Sequence, residues 1–121
     1  MKKFILTLSC ILTSALSFAY DFEVDGMYYN ITSLQNLKVE LTNGDNYYSG
    51  DIVIPETVEY SNKTFTVTRL GDNCFKGCSK LNSVQIPHTV ITLGTYVFYG
   101  CSKLASLTIP SSVTTIGEGA H

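Results

Sequence analysis

The sequence predicts a mainly β fold, a solenoid of 23-residue coils preceded by an N-terminal β-meander cap. Three observations carry this. Residues 78–100, CSKLNSVQIPHTVITLGTYVFYG, start over at Cys101 as CSKLASLTIPSSVTTIGEGAH. Ten of the 21 shared positions are identical, and most others exchange like for like, as Val84 with Leu107 and Leu93 with Ile116. A fixed period of roughly 20–50 residues marks stacked coils. Within each copy the apolar triplet Leu81, Val84, Ile86 returns as Leu104, Leu107, Ile109, the pattern of a short strand with one buried face. Residues 20–50 lack the repeat and carry aromatic and β-branched runs punctuated by Asp25-Gly26 and Asn43-Gly44, which are turn signals.

Residues 1–19 read as a signal peptide. Met1-Lys2-Lys3 is the basic start, the run from Phe4 to about Ala15 is apolar, and Ser17 and Ala19 stand at the small positions before a cut near Ala19. A transmembrane anchor needs about 20 apolar residues, and this run is shorter and holds Thr7, Ser9, Thr13 and Ser14. A lipid-modified Cys10 is disfavoured because Thr7-Leu8-Ser9 is a poor acylation signal.

Residues 20–50 then form the cap. Asp21–Val24 and Met27–Ile31 flank Asp25-Gly26 as a hairpin, because a type I′ turn needs positive φ at both central residues. A further strand over about residues 36–41 leads to Asn43-Gly44, a turn of the same chemistry. Residues 51–121 are the coils. Ile52-Val53-Ile54-Pro55 precedes Val84-Gln85-Ile86-Pro87 by 32 residues, whereas Thr66-Val67 precedes Thr89-Val90 by 23. The nine extra residues lie within residues 56–65 and read as a hairpin turning at Ser61-Asn62-Lys63. Each coil is expected to run strand, Pro turn, a short extended piece ending at Leu-Gly, a short helical turn carrying Phe75 or Phe98, then Gly-Cys. Gly71, Gly94 and Gly117 are expected to turn the chain through positive φ. Pro55, Pro87 and Pro110 end the strands by withholding an N–H. The last coil is incomplete: His121 stands where Phe98 stands one period earlier. A fragment, a truncated reading frame and a coil that pairs with a second copy all remain open.

Composition narrows function. The chain is 45% hydrophobic and 15% charged, which excludes disorder. Its formal charge is −2, and removing Lys2 and Lys3 with the leader leaves six basic against ten acidic residues. No basic stripe exists to neutralise phosphates, so nucleic acid is not an expected partner. Three cysteines follow the leader, Cys74, Cys78 and Cys101. They read as small buried apolar side chains, with a disulfide between two of them left open. Catalytic residues, cofactors and metal ligands are expected to be absent. His88 reads as an exposed turn residue, no nucleophile elbow occurs, and Asn43-Gly44-Asp45-Asn46 lacks the alternating ligands and closing Glu of a calcium loop.

The unit Cys-Ser-x-Leu-x-Ser-[Val/Leu]-x-Ile-Pro-x-x-Val-x-x-[Leu/Ile]-Gly resembles the BspA-like bacterial leucine-rich repeat over about residues 51–121. The resemblance implies a leucine-rich-repeat solenoid, in a secreted or cell-surface protein whose relatives bind extracellular matrix proteins such as fibronectin and fibrinogen, or other cells. Extracellular proteins, host matrix or cell-surface, are thus the expected partners, with self-association through the open C-terminal coil a further expectation.

Between the inward leucines of each strand, Ser83, Gln85, Ser106 and Thr108 are expected to face out and line a ligand-binding surface, with Asp51 and Val53 as first-coil counterparts. The competing reading is that they are only soluble strand positions. Tyr28, Tyr29, Tyr47 and Tyr48 are equally readable as interface anchors or as half-buried meander residues. A structural cap of a longer repeat protein, without a ligand of its own, is the alternative function.

Overall fold

The structure is a computed structural model that describes residues 20–120. The leader expected over residues 1–19 and the His121 position lie outside the described residues. The chain runs β1 (Phe22–Val24), β2 (Met27–Ser33), β3 (Lys38–Thr42), β4 (Gly50–Val53), β5 (Thr57–Tyr60), β6 (Lys63–Leu70), β7 (Leu81–Gln85), β8 (Thr92–Leu93) and β9 (Thr115–Ile116). No helix occurs among the described residues.

Residues 20–42 form an antiparallel meander, β1 on β2 and β2 on β3. Asp25 (φ 52°) and Gly26 (φ 79°) both take left-handed backbone, the requirement of a type I′ turn. Asn43-Gly44 departs from the expected turn, since neither residue has positive φ. Gly44 is needed for space: a Cβ there would strike the Tyr28 ring. From β3 the chain leaves the meander for a second sheet, the parallel pair β4–β7.

β3 also pairs in parallel with β6, which continues to β8 and β9, so the main sheet runs β9-β8-β6-β3-β2-β1. β5 folds back antiparallel on the start of β6 as a hairpin, with Ser61 and Asn62 left-handed at its tip.

At the Leu-Gly end of these parallel strands one bond repeats three times. Gly71 N–H donates to Leu41 C=O, Gly94 to Leu70 and Gly117 to Leu93, each at 2.8 Å. The glycines do not serve positive φ, as expected from the sequence, but close stacking. A Cβ on Gly94 would stand 2.9 Å from the Gly71 carbonyl carbon, and one on Gly117 2.7 Å from that of Gly94. No side chain fits between coils that close.

The helical turn expected after each Leu-Gly is also absent. The N–H groups of Cys74, Lys76 and Cys78 donate within the coil, to Gly71, Asn73 and Phe75. Those of Asn73, Phe75 and Gly77 instead reach Thr95, Val97 and Tyr99 of the next coil, at 2.9, 2.9 and 2.8 Å. A helix turns successive N–H groups back onto its own carbonyls, whereas here alternate ones tie neighbouring coils together. Left-handed Asn73 and Tyr96, with Gly119 one period later, enforce that alternation.

The core lies between the two sheets and the turns. Tyr48, Phe75 and Phe98 form a row through it with ring centroids 5.0 and 5.5 Å apart, the first pair tilted and the second stacked. In the middle coil Leu81, Val84, Val90, Leu93 and Phe98 are buried, and Ile86 packs partly against them. Cys74, Cys78 and Cys101 are free thiols. Burial raises the pKa of all three, most for Cys74, so none is a ready nucleophile.

The third coil differs from expectation. Residues 104–110 form no strand, and the second sheet keeps only β4 and β7. Leu104 and Leu107 are half-buried and Ile109 is exposed.

Candidate functional site

β7 presents the outward residues, and its sequence explains how. Leu-x-x-Val places two residues between inward side chains where a flat strand has one. The extra residue is absorbed by a register shift against β4: Gly50 pairs with Leu81, but Asp51 with Ser83. Leu81 and Val84 thereby both point to the core, and Asn82, Ser83 and Gln85 are left on the outer side.

Asp51 ties the outer rung together. One carboxylate oxygen accepts from Asn82 Nδ2 at 2.6 Å and from Ser83 Oγ at 2.7 Å. These bonds, Asn82's first, hold the carboxyl below its ordinary pKa. Ser83 is therefore committed within the fold. Gln85, Ser106 and Thr108 are exposed, and none makes a side-chain hydrogen bond among the described residues.

All four residues lie on one groove of about 380 Å³ between β7 and the 106–108 segment. The groove is open because the third-coil strand does not close against β7. Val53 is exposed beside Gln85 as the first-coil counterpart, and His88 sits near Glu56 at 3.6 Å beyond that end, both exposed. Its walls offer carboxamide and hydroxyl groups above an apolar floor of Val84 and Leu107, chemistry suited to hydrogen-bonding a polypeptide edge. Among the described residues no group of three His, Cys, Asp or Glu side chains is placed to hold a metal. No helix there is long and apolar enough to cross a membrane.

The tyrosines divide. Tyr28, Tyr29 and Tyr48 are buried in the core, and burial pushes the Tyr29 phenol up to about 12 and Tyr48 higher still. Tyr47 is 76% exposed. Sequence reasoning missed two features. The Asp51–Asn82 link joins residues 31 apart, with no signal in either stretch. The second is the cleft beside Tyr47, formed with a turn about 30 residues further along.

The repeat geometry has a counterpart in known proteins. A family model described as BspA type Leucine rich repeat region (6 copies) matches residues 51–121. The chain belongs to this BspA-type leucine-rich repeat family. Among solved structures, a leucine-rich repeat protein from Bacteroides ovatus is 28% identical with a TM-score of 0.71, over 83% of this chain and 33% of that one. A leucine rich cell surface protein from Faecalibacterium prausnitzii is 28% identical with a TM-score of 0.70, over 82% and 27%. A leucine-rich repeat protein from Bacteroides capillosus, 24% identical over 80% of this chain and 70% of that one, shares the fold with a TM-score of 0.70. The BspA-type chain thus spans 33% and 27% of the length of the first two. A comparison with curated proteins gives no match. Leucine-rich repeats of this kind are binding scaffolds, and the family points to protein partners.

Proposed function

We propose that this BspA-type protein is a secreted or surface-displayed adhesin that binds an extracellular protein, of host matrix or of another cell, along the groove beside β7. The observation that carries the reading is that Gln85, Ser106 and Thr108 stand exposed around one groove with no internal hydrogen-bond partner. Residues 1–19 act as the leader, residues 20–50 as the cap, and the coils after them as the start of a solenoid. The name of the Faecalibacterium relative, a cell surface protein, supports that location.

The test is binding to immobilised fibronectin and fibrinogen by wild type and by a Gln85→Lys/Thr108→Lys variant. Wild type is expected to bind saturably, and the variant at least tenfold more weakly at an unchanged Tm. A folded wild type that ignores both ligands would sink the matrix-adhesin reading.

A second reading rests on a different observation. Beyond β9 an apolar recess of about 400 Å³ opens between Leu93, Phe98, Leu104, Leu107, Ile109 and Ile116. The longer relatives support a structural role in which further coils, or a second copy, cover this face. That reading expects concentration-dependent association in sedimentation and no loss of it in the groove variant.

A further inference from the structure

A second cleft, of about 590 Å³, lies between the 43–48 loop and the 73–78 turns, away from the groove. That volume falls within the range of roughly 300–1,000 Å³ common for small-molecule sites. Its rim carries Asn43, Asp45, Asn46 and Tyr47 on one side and Lys76 and Gly77 on the other.

The polar groups are held in place. Asn43 Nδ2 donates to the Asn73 carbonyl at 3.1 Å. Asp45 accepts the Tyr20 hydroxyl at 2.9 Å, and burial together with that carboxylate pushes the Tyr20 phenol up to about 12, so it remains a donor at neutral pH. The Asn46 amide and side chain both donate to the Tyr28 hydroxyl, at 3.2 and 3.3 Å. Each of the three side chains keeps a second polar atom without a partner among the described residues. Lys76 Nζ is braced over the rings of Tyr96 and Tyr99, 5.6 and 5.9 Å from their centroids.

Tyr47 completes the arrangement. Its ring edge rests against Gly77, 3.4 Å from where a Cβ would stand, yet the residue is 76% exposed. Gly77 has φ 78°, so a larger residue there would be strained and would also crowd the ring. An aromatic face is thus held open beside a row of short planar polar groups.

We propose that this cleft binds a neutral saccharide. Charge decides between ligand classes. A sulfate, phosphate or uronate would meet Asp45, and a cationic side chain would meet Lys76. Hydroxyl groups donate and accept at once, so they satisfy the carboxylate and both carboxamides of one wall while meeting the Lys76 side chain on the other. The apolar C–H face of a pyranose ring covers the exposed Tyr47 ring, which is both apolar and polar-tipped.

The experiment is affinity electrophoresis of the full chain through gels containing yeast mannan, laminarin or soluble starch, with alginate and heparin gels as anionic controls. Retardation is expected in at least one neutral gel. It should fall at least tenfold in Tyr47→Ala and in Lys76→Gln, both surface changes whose folding is checked by Tm. It should persist in Gln85→Lys/Thr108→Lys, which separates this site from the groove. No retardation in any neutral gel, retardation confined to the anionic gels, or retention undiminished in both folded single variants overturns the proposal.

Discussion

Asp72 joins two coils through a single oxygen. Its Oδ1 accepts the Thr95 N–H at 2.8 Å and the Arg69 guanidinium at 3.0 Å. Arg69 also reaches Glu40, at 2.9 Å, which accepts in turn from Asn30, so the network runs from the meander to the middle coil. The Thr95 N–H, ahead of Arg69, holds the Asp72 carboxyl below its ordinary pKa. A depressed folded pKa contributes stability that is present above the unfolded value, near 3.9, and is lost as pH falls through the folded one. Asp72→Asn should therefore cost stability at pH 7 and progressively less in acid. The side chain is 57% exposed, so after solvent screening the cost is no more than about 1 kcal/mol. Urea titrations at pH 7 and pH 3 check this: a gap between wild type and variant that does not shrink at pH 3 would contradict it. None of these pairings was legible in the sequence, where Arg69 and Asp72 are unremarkable charges. The recurrence of Gly71, Gly94 and Gly117 was legible, but its cause was not. Positive φ belongs instead to Asn73, Tyr96 and Gly119, and to Gly77 and Gly100.

Among the elements, the aromatic stack measures how much each coil relies on the next. Phe75 sits between Tyr48 and Phe98 and is fully buried, whereas Phe98 has a ring partner on one side only and a recess on the other. Truncating a buried Phe costs about 3–5 kcal/mol. Phe75→Ala should reach that range and Phe98→Ala should fall clearly below it in parallel urea titrations. Equal losses would mean that the third coil encloses Phe98 as fully as the second encloses Phe75. The strand β7 was legible because Leu81, Val84 and Ile86 carry an apolar pattern with a defined face. The expected helical turn failed for a reason local pattern does not carry, since alternate N–H groups gain partners only when another coil lies 23 residues on. Leu104, Leu107 and Ile109 repeat the β7 pattern without forming its strand. Ser83, Gln85, Ser106 and Thr108 were identifiable as outward positions from that period, but the Asp51 bond that occupies Ser83 was not.

At the scale of the molecule, the ladder is a gradient. Leu41, Leu70, Leu93 and Ile116 pair in register across four strands, and their exposures are 0%, 0%, 2% and 53%. Stacked repeats derive stability from each neighbour, and segments with fewer buried contacts open more readily. The amides of Gly71, Gly94 and Gly117 make the same 2.8 Å bond, so bond geometry does not distinguish them. Hydrogen-exchange protection should fall in the order Gly71, Gly94, Gly117, with the last at least tenfold less protected than the first. Equal protection would indicate that the third coil is covered in solution.

The division between sequence and structure follows from what each repeat encodes. A 23-residue period with inward leucines determined by itself that the chain is a mainly β repeat protein and, within β7, which residues face the core and which stand outside. Those are local properties, set by side-chain polarity and backbone alternation. Only the tertiary structure decided how close the coils lie, which N–H groups leave their own coil, and whether the third strand closes. It also decided that Asn43, Asp45, Asn46 and Tyr47 share a cleft with Lys76. These outcomes depend on a partner one coil away, and the burial that drives them exists only once coils are stacked.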